Sequence, residues 1–409
     1  MRLAMISEHA SPLAALGGED SGGQNVYVAE LARHLGAMGY GVDVFTRRDT
    51  PLLPAVVPFD VGVRVVNLAA GPAKHVPKDE LFPFMGRFRD AFYRFARREP
   101  AAYDLVHANF WMSGWVACEA KRDLGLPFVQ TFHALGEIKR RAQGARDTSP
   151  YERRSTEFRI LEEADRVLTT CPAEIEELTG IYGAQLSRLA LVPCGVDIRT
   201  FRPMNRREAR NELGLPEGPT VVYVGRLVPR KGVDTLVEAF ALLPRRLNAR
   251  LVIVGGEPGG EGSAEVARLS ALARGLMVKK RVSFIGSRPQ QDLYRYYGAA
   301  DAAVTVPHYE PFGMTPLEAM ACGVPVVGSR VGGIKTSVVD GETGYLIPPQ
   351  DPKALAGRLL RLLSDGALRD RMGCAGRRRV EEHYTWKHIA TLAATTFSAV
   401  ATGASRISR

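Results

Sequence analysis

Residues 2–46 read "RLAMISEHASPLAALGGEDSGGQNVYVAELARHLGAMGYGVDVFT", and this stretch decides the fold. "RLAMI" is a short apolar run of strand character, and "LGGEDSGGQ" is a glycine-rich connection. Val26, Leu31, Leu35 and Met38 then recur at helical spacing before "VDVFT" resumes as a strand. Strand, loop, helix, strand is a βαβ unit, which requires parallel strands joined by a right-handed crossover. Arg2 to Ile6 is too short an apolar run for a signal peptide, and no small-residue cleavage site follows. The segment is therefore expected as a strand of a mature domain, and the protein as cytoplasmic.

The same grammar spreads outward. "VRVVNL", "DLVHAN", "PFVQTFH" and "RVLTT" continue the alternation as far as "LALVPCGVD". After Asp197 comes the polar stretch "IRTFRPMNRREARNELGLPEGP", and the pattern restarts with "TVVYVG", the loop "RLVPRKG" and a helix from Val233 to Leu243. "RLVIVGG", "RVSFIG", "AAVTVP" and "PVVGSR" complete a second set of strands. A chain of 409 residues exceeds what one core holds, so two domains of roughly 200 residues each are expected. The expected fold class is α/β, with two Rossmann-like doubly wound domains spanning 1–198 and 199–409 and a change of domain near 196–205. The final segment, "YTWKHIATLAATTFSAV" (about 384–400), reads as a helix that lies on either domain.

A composition of 45% hydrophobic and 24% charged residues is that of a globular protein, and no window approaches the ~18 uninterrupted apolar residues of a membrane span. Five scattered cysteines without a C-x-x-C pair read as reduced, buried thiols. The net charge of +10 suits nucleic acid, an anionic membrane or phosphorylated small molecules. The aromatic and basic interleaving of an RNA-binding sheet is missing, so no nucleic acid partner is expected. "FPFMGRFRDAFYRFARRE" places Phe84, Phe88, Phe92 and Phe95 on one helical stripe amid arginines. Packing of that stripe on the sheet is the expected reading, and peripheral membrane contact the less favoured one. A monomer or a homodimer is expected.

Four segments carry candidate chemistry. In the first βα connection Gly17, Gly18, Gly22 and Gly23 precede a helix starting near Gln24, where bare backbone N–H groups and a helix N-terminus suit an anion or a sugar hydroxyl. In the second domain, "GRLVPRKG" sets Arg226 at a strand end and Lys231 at a helix entry, a fork-shaped donor and a point charge suited to a diphosphate. "YEPFGMTPLEAM", residues 309–320, follows the strand "AAVTVP". Thr315 fits an N-cap, Pro316 the first helical position and Glu318 the third, a capping box. Glu310 lies ahead of that helix beside the N–H groups of Gly313, Met314 and Thr315, with no comparable structural task. His133 ends another strand in "QTFHALGEIKRR", with Lys139, Arg140, Arg141, Arg153 and Arg154 following. These cations form either an acceptor-phosphate pocket or a solvated helix face, and Lys78 is a candidate of the same kind.

Together these pieces resemble the retaining GT-B glycosyltransferases of family 4. "GGEDSGGQNVYVAELARHL" is similar to the first loop of the sucrose-phosphate synthase and sucrose synthase group and of the actinobacterial inositol-phosphate glycosyltransferases. "GRLVPRKG" and the pair Glu310 and Glu318 resemble the family's donor site. The resemblance implies two Rossmann-like domains facing a central cleft, with a nucleotide-sugar held mainly by the second and an acceptor mainly by the first. Arg226 and Lys231 would bind the diphosphate, Glu318 the ribose, and Glu310 the transferred sugar beside the N–H groups of Gly313, Met314 and Thr315. Arg288, in "SRPQQDL", would border the base; Gly22 and Gly23 would approach the diphosphate, and His133 the donor sugar. Gln24, Asn25, Lys78, Lys139, Arg153 and Arg154 would face a phosphorylated acceptor.

The resemblance further implies a UDP-sugar as donor substrate, no required cofactor and no metal, in keeping with the lack of a D-x-D motif. "HALGEIKRR" and Gln24 are similar to the sucrose-phosphate synthases and imply UDP-glucose and a sugar phosphate. "QNVYV", "AAGPAKHVPKDEL" and "FWMSG" are similar to the inositol-phosphate enzymes and imply UDP-GlcNAc. Where the latter carry hydroxyl-bearing phosphate ligands, this chain has Phe110 and Ala134. The leading expectation is the first acceptor class, with the inositol-phosphate type as the alternative. A nicotinamide-dependent oxidoreductase is a distant third: it calls for G-x-G-x-x-G and an acidic residue ending strand two, and "VDVFTRRD" puts Thr46, Arg47 and Arg48 there. A non-catalytic sugar-binding protein would need neither Arg226 nor Lys231.

Overall fold

The computed structural model describes residues 1–14, 22–256 and 263–407, so Gly17 and Gly18 lie outside the described residues. The chain divides into two units, residues 1–193 with 386–409, and residues 194–385. The expectation set the change of domain five residues later, but Cys194 to Val196 run with the second unit, where the Val196 N–H donates to the Tyr384 carbonyl at 2.8 Å.

The first unit holds an eight-stranded sheet. Its strands are β1 (Arg2–Ile6), β2 (Gly41–Arg47), β3 (Val56–Asp60), β4 (Val63–Leu68), β5 (Leu105–Asn109), β6 (Phe128–Thr131), β7 (Arg166–Thr169) and β8 (Leu189–Leu191), in the order β3-β4-β2-β1-β5-β6-β7-β8. All pair in parallel except β3, which runs antiparallel to β4 on the sheet edge. β3 escapes sequence reading because it contains Pro58, which only an edge strand tolerates. The helix Trp386–Ile407 belongs to this unit. Ile389, Ala390, Ala393 and Phe397 are fully buried, and its rings reach Tyr27 (Trp386, 5.8 Å) and His107 (Phe397, 5.1 Å).

The second unit holds six strands, all parallel: β9 (Thr220–Val224), β10 (Arg250–Val254), β11 (Val282–Gly286), β12 (Ala302–Thr305), β13 (Val326–Ser329) and β14 (Gly344–Ile347). Their order is β11-β10-β9-β12-β13-β14. In both sheets the winding reverses beside the first strand, between β1 and β5 and between β9 and β12. Doubly wound sheets bind ligands outside the carboxyl ends of the strands at such a reversal. The loops after β1, β5 and β6 and those after β9 and β12 are therefore where chemistry is expected.

In the helix Met85–Ala96, Phe88 and Phe92 are fully buried while Arg87 and Arg94 are exposed, so the aromatic stripe is core. Among the described residues no helix is long and apolar enough to cross a membrane. Four cysteines are buried, but Cys374 is exposed on the helix Gly366–His383, which corrects the expectation of five buried thiols.

Candidate active site

In the second unit the turn after β9 and the loop after β12 are built against each other. Gly232 adopts φ +67°, and a Cβ there would lie 2.1 Å from the Val306 carbonyl oxygen, so only glycine lets the turn close on the strand end. The His308 N–H donates to the Arg230 carbonyl at 2.9 Å. The fully buried Tyr223 donates its hydroxyl to the Arg226 carbonyl at 3.0 Å, fixing the first residues of the turn. Lys231 then donates its ammonium to Glu310 Oε2, and Arg230 Nη1 stands 4.0 Å from the same oxygen while donating to the Tyr309 carbonyl at 3.4 Å.

The charges decide the protonation. Burial pushes the Glu310 carboxyl up, but Lys231 and Arg230, with Arg226 behind them, outweigh it and hold Glu310 below its ordinary value. Burial pulls the Lys231 ammonium down, and Glu310 restores only part of that. Gly313, at φ +83°, turns the chain toward the helix Thr315–Ala321. Among the described residues no acceptor meets the N–H groups of Gly313, Met314 and Thr315. A Cβ at Gly313 would lie 3.2 Å from Glu310 Cγ, so the Glu310 side chain packs against the start of this turn.

The expected capping box is not formed. Met314 already has helical φ and ψ and is the N-cap, so Thr315 is the first helical residue, Pro316 the second and Glu318 the fourth. Glu318 makes no side-chain hydrogen bond to the N-cap and is 7% exposed beside the helix Leu293–Gly298. There it accepts from the Tyr297 hydroxyl at 3.0 Å, and burial pushes its pKa up to about 7 against hydrogen bonds from Tyr297 and Gln290. Arg288, expected beside the base, is exposed after β11 and donates to the Tyr296 hydroxyl at 3.1 Å. Arg288 and Glu318 are thus tied to consecutive residues of the helix Leu293–Gly298.

In the first unit, Gly22 caps the helix Gly23–Ala37 in extended backbone, and its N–H donates to Asn25 Oδ1 at 2.9 Å. The Asn25 amide donates to the Ser11 carbonyl at 3.0 Å, so Asn25 holds Ser11 and Gly22 from the two ends of its side chain. Gln24 Nε2 reaches Ser7 Oγ and the Asn109 carbonyl, both at 3.4 Å. His133 stands in the left-handed region at φ +60°, and Phe110, at the end of β5, at φ +82°. Side chains rarely hold such conformations except where the surroundings over-determine them, and such residues concentrate at functional sites.

The His133 tautomer follows from its neighbour. Asn109 directs its NH2 at the carbonyls of Ile6 (3.3 Å) and His107 (3.4 Å), so its oxygen faces His133 Nε2 at 2.9 Å. Nε2 therefore carries the hydrogen and Nδ1 the lone pair. Burial, with the nearby imidazoles of His107 and His9, pulls the His133 pKa down to about 3, and the ring is neutral at physiological pH.

Three of the candidate acceptor cations, Lys139, Arg153 and Arg154, each have a carboxylate. Lys139 reaches Ser149 Oγ at 3.0 Å, Asp147 at 3.2 Å and Asp79 at 3.4 Å; Asp79 adjoins Lys78 on the turn Lys78–Glu80. Arg153 is 2% exposed and bonds Glu157 at 2.8 Å. Arg154 is mostly exposed, 3.8 Å from Glu137.

Arg230 escaped the sequence reading, although it sits between two residues that were singled out. Glu8 and His9 were also missed. The fully buried Glu8 carboxylate accepts from the Ser113 hydroxyl and from His9 Nδ1 at 2.7 Å, just past β1. The strand-end rule applied to His133 points equally to "SEH". Beyond β2, where an oxidoreductase would place a carboxylate, Arg47 is buried and donates to the carbonyls of Pro72 and Lys74, both at 2.7 Å.

Residues 205–379 match the model of glycosyl transferases group 1, and residues 21–200 that of glycosyltransferase family 4. A D-inositol 3-phosphate glycosyltransferase of Acidothermus cellulolyticus is 43% identical over 89% of this chain and 83% of its own. One of Kribbella flavida is 40% identical over 91% and 90%. The solved structure of a sucrose-phosphate synthase from Thermosynechococcus elongatus superposes with a TM-score of 0.91 at 37% identity, covering 98% of this chain and 99% of that one. With similarity running through both units, the chain belongs to glycosyltransferase family 4, the retaining enzymes of GT-B fold that take their sugar from a nucleotide.

Proposed function

We propose that the protein transfers N-acetylglucosamine from UDP-N-acetylglucosamine to an inositol phosphate, with the second unit holding the donor and the first the acceptor. The observation that carries the donor half is Lys231 and Glu310 joined at the β9 and β12 loops, beside the N–H groups of residues 313–315. The acceptor half rests on the similarity to D-inositol 3-phosphate glycosyltransferases at 43% and 40% identity.

Breaking the glycosyl–phosphate bond builds negative charge on the departing diphosphate and positive character at the anomeric carbon. Lys231 and Arg226 meet that diphosphate as a point charge and a fork, and their contribution grows as the charge develops. Glu310, held ionised, accepts hydrogen bonds from the transferred sugar, and Glu318 from the ribose. In the front-face route the acceptor oxygen bonds the anomeric carbon as the phosphate oxygen leaves, and that oxygen takes the acceptor's proton. His133 offers only its Nδ1 lone pair, so it acts as a hydrogen-bond acceptor for a sugar hydroxyl.

A second reading, glucose from UDP-glucose to a sugar phosphate, is favoured by Phe110 and Ala134, which lack hydroxyls, and by the likeness to the sucrose-phosphate synthase. Crossing UDP-N-acetylglucosamine and UDP-glucose with D-inositol 3-phosphate and fructose 6-phosphate, with UDP release as readout, separates the two. The expected result is release with the first donor and the inositol phosphate, lost in Glu310→Ala. Release with no pair, or undiminished in Glu310→Ala, overturns the proposal.

A further inference from the structure

We propose that the buried network of Arg153, Glu157 and Tyr182 is a positioning device for the His133 loop, and that Arg153 serves there rather than as an acceptor ligand. The inference rests on the reading above in one respect, that the His133 loop faces substrate. Its geometry stands independently.

The loop runs from the end of β6 into the helix Gly136–Gln143. Four of its residues are tied by side chains from elsewhere. His133 is held by Asn109; the Ala134 carbonyl accepts from Arg153 Nη2 at 2.7 Å; the Gly136 N–H donates to both Glu157 oxygens at 3.0 and 3.1 Å; and the Glu137 N–H donates to the Tyr182 hydroxyl at 2.9 Å. Of the four tethering residues, Arg153, Glu157 and Tyr182 are locked to one another. Tyr182 donates to Glu157 at 2.6 Å, and Arg153 Nε donates to Glu157 at 2.8 Å from one turn earlier on the helix Glu152–Glu163. Glu157 is fully buried, and every hydrogen bond named for it comes from this network.

Two consequences follow. The start of a helix after a parallel strand is ordinarily open to an anion. Here the Glu157 carboxylate fills that place from within the fold, so the N–H groups of Gly136 and Glu137 are closed to an acceptor phosphate. A Cβ on residue 136 would stand 2.8 Å from Arg153 Nε and 3.0 Å from Glu157 Oε2, so the close approach depends on glycine. Second, the Arg153 guanidinium lies over the Phe110 ring, 5.0 Å from its centroid. One buried cation therefore braces both left-handed strand ends, Phe110 through its ring and His133 through the next carbonyl. Strained backbone of this kind persists only when its surroundings hold it.

The test pairs hydrogen exchange with kinetics on the full-length protein. In Glu157→Gln, amide exchange over residues 134–140 is expected to rise about tenfold or more while β1 and β5 keep their protection, as local opening predicts. With the wild-type substrate pair, kcat is expected to fall about 10- to 100-fold with the acceptor KM within about threefold, the signature of a lost positioning contact. Arg153→Lys keeps the charge but not the fork, and the same split is expected there. An acceptor KM raised more than about tenfold in Arg153→Lys, with exchange unchanged, makes Arg153 a ligand and overturns the proposal. Exchange that rises throughout the first unit also overturns it, by making the network merely structural. If Glu157→Gln does not fold, Tyr182→Phe removes one hydroxyl and gives the same readouts at about threefold. If the wild type transfers no sugar, the functional reading falls, and the exchange measurement alone still decides the network.

Discussion

The loops after β9 and β12 and the loops after β5 and β6 all leave the carboxyl ends of their own sheets, yet they hold charge in different ways. In the second unit the cations converge, with Lys231, Arg230 and Arg226 all bearing on the single carboxylate of Glu310. In the first unit they are paired off: Arg153 has Glu157, Arg154 has Glu137, and Lys139 has Asp79 and Asp147. A convergent cluster suits a ligand that gains negative charge during the reaction. An internally paired one holds the shape of its loops before any ligand arrives.

The contrast breaks most readily at Lys231. Lys231→Ala is expected to lower kcat/KM by about 10³, the scale for removing a donor aimed at developing charge. Lys139→Ala, a cation paired with carboxylates in a partly solvated patch, is expected to cost about tenfold or less. Steady-state kinetics on the two variants measures the difference, and equal losses would erase the distinction between the units. Glu318 sharpens it next. Its folded pKa of about 7 lies above the ordinary 4.5, so the native state binds the extra proton and stability is lost as pH rises from about 4.5 through 7. The shift corresponds to about 3 kcal/mol at pH 8. Glu318→Gln should recover much of this in the unliganded protein while weakening UDP binding. Urea unfolding at pH 5 and pH 8 reads the first effect, and a variant with the wild-type pH dependence would refute the assignment.

The same contrast explains what the sequence made legible. "GRLVPRKG" and Glu310 could each be marked as a ligand site because each follows a strand at once, and the resemblance to the family joined them. Both apolar strand patterns and the separate second sheet were likewise written in short runs. Arg153 could not be placed in that way. Its partner Glu157 is one helical turn away, but its tasks at Ala134, Phe110 and, through Glu157, Gly136 and Tyr182 depend on tertiary packing that no local pattern encodes. Glu318 was misplaced for a smaller reason. The turn at Pro311 to Gly313 leaves Met314 already helical, which advances the helix by one residue, and the carboxylate bonds Tyr297 instead of the N-cap. Arg230 was hidden by its neighbours, since a loop cation's reach to Tyr309 shows only in three dimensions.

The smallest change with a clear sign is at Ala134. Its carbonyl is held at 2.7 Å by Arg153, so the backbone stays in place when the side chain grows. The residue is half-buried beside His133. Ala134→Thr supplies the hydroxyl that this chain lacks relative to the inositol-phosphate enzymes. One hydrogen bond to a phosphate is expected to lower the KM for D-inositol 3-phosphate about fivefold. The KM for UDP-N-acetylglucosamine should stay put, because the residues proposed to hold the nucleotide belong to the other unit. A lower KM for fructose 6-phosphate instead would assign the first unit to sugar phosphates. No change with either acceptor would move the acceptor's anion away from the His133 loop, toward Lys139 and Ser149, whose contact at 3.0 Å does not involve the residue changed.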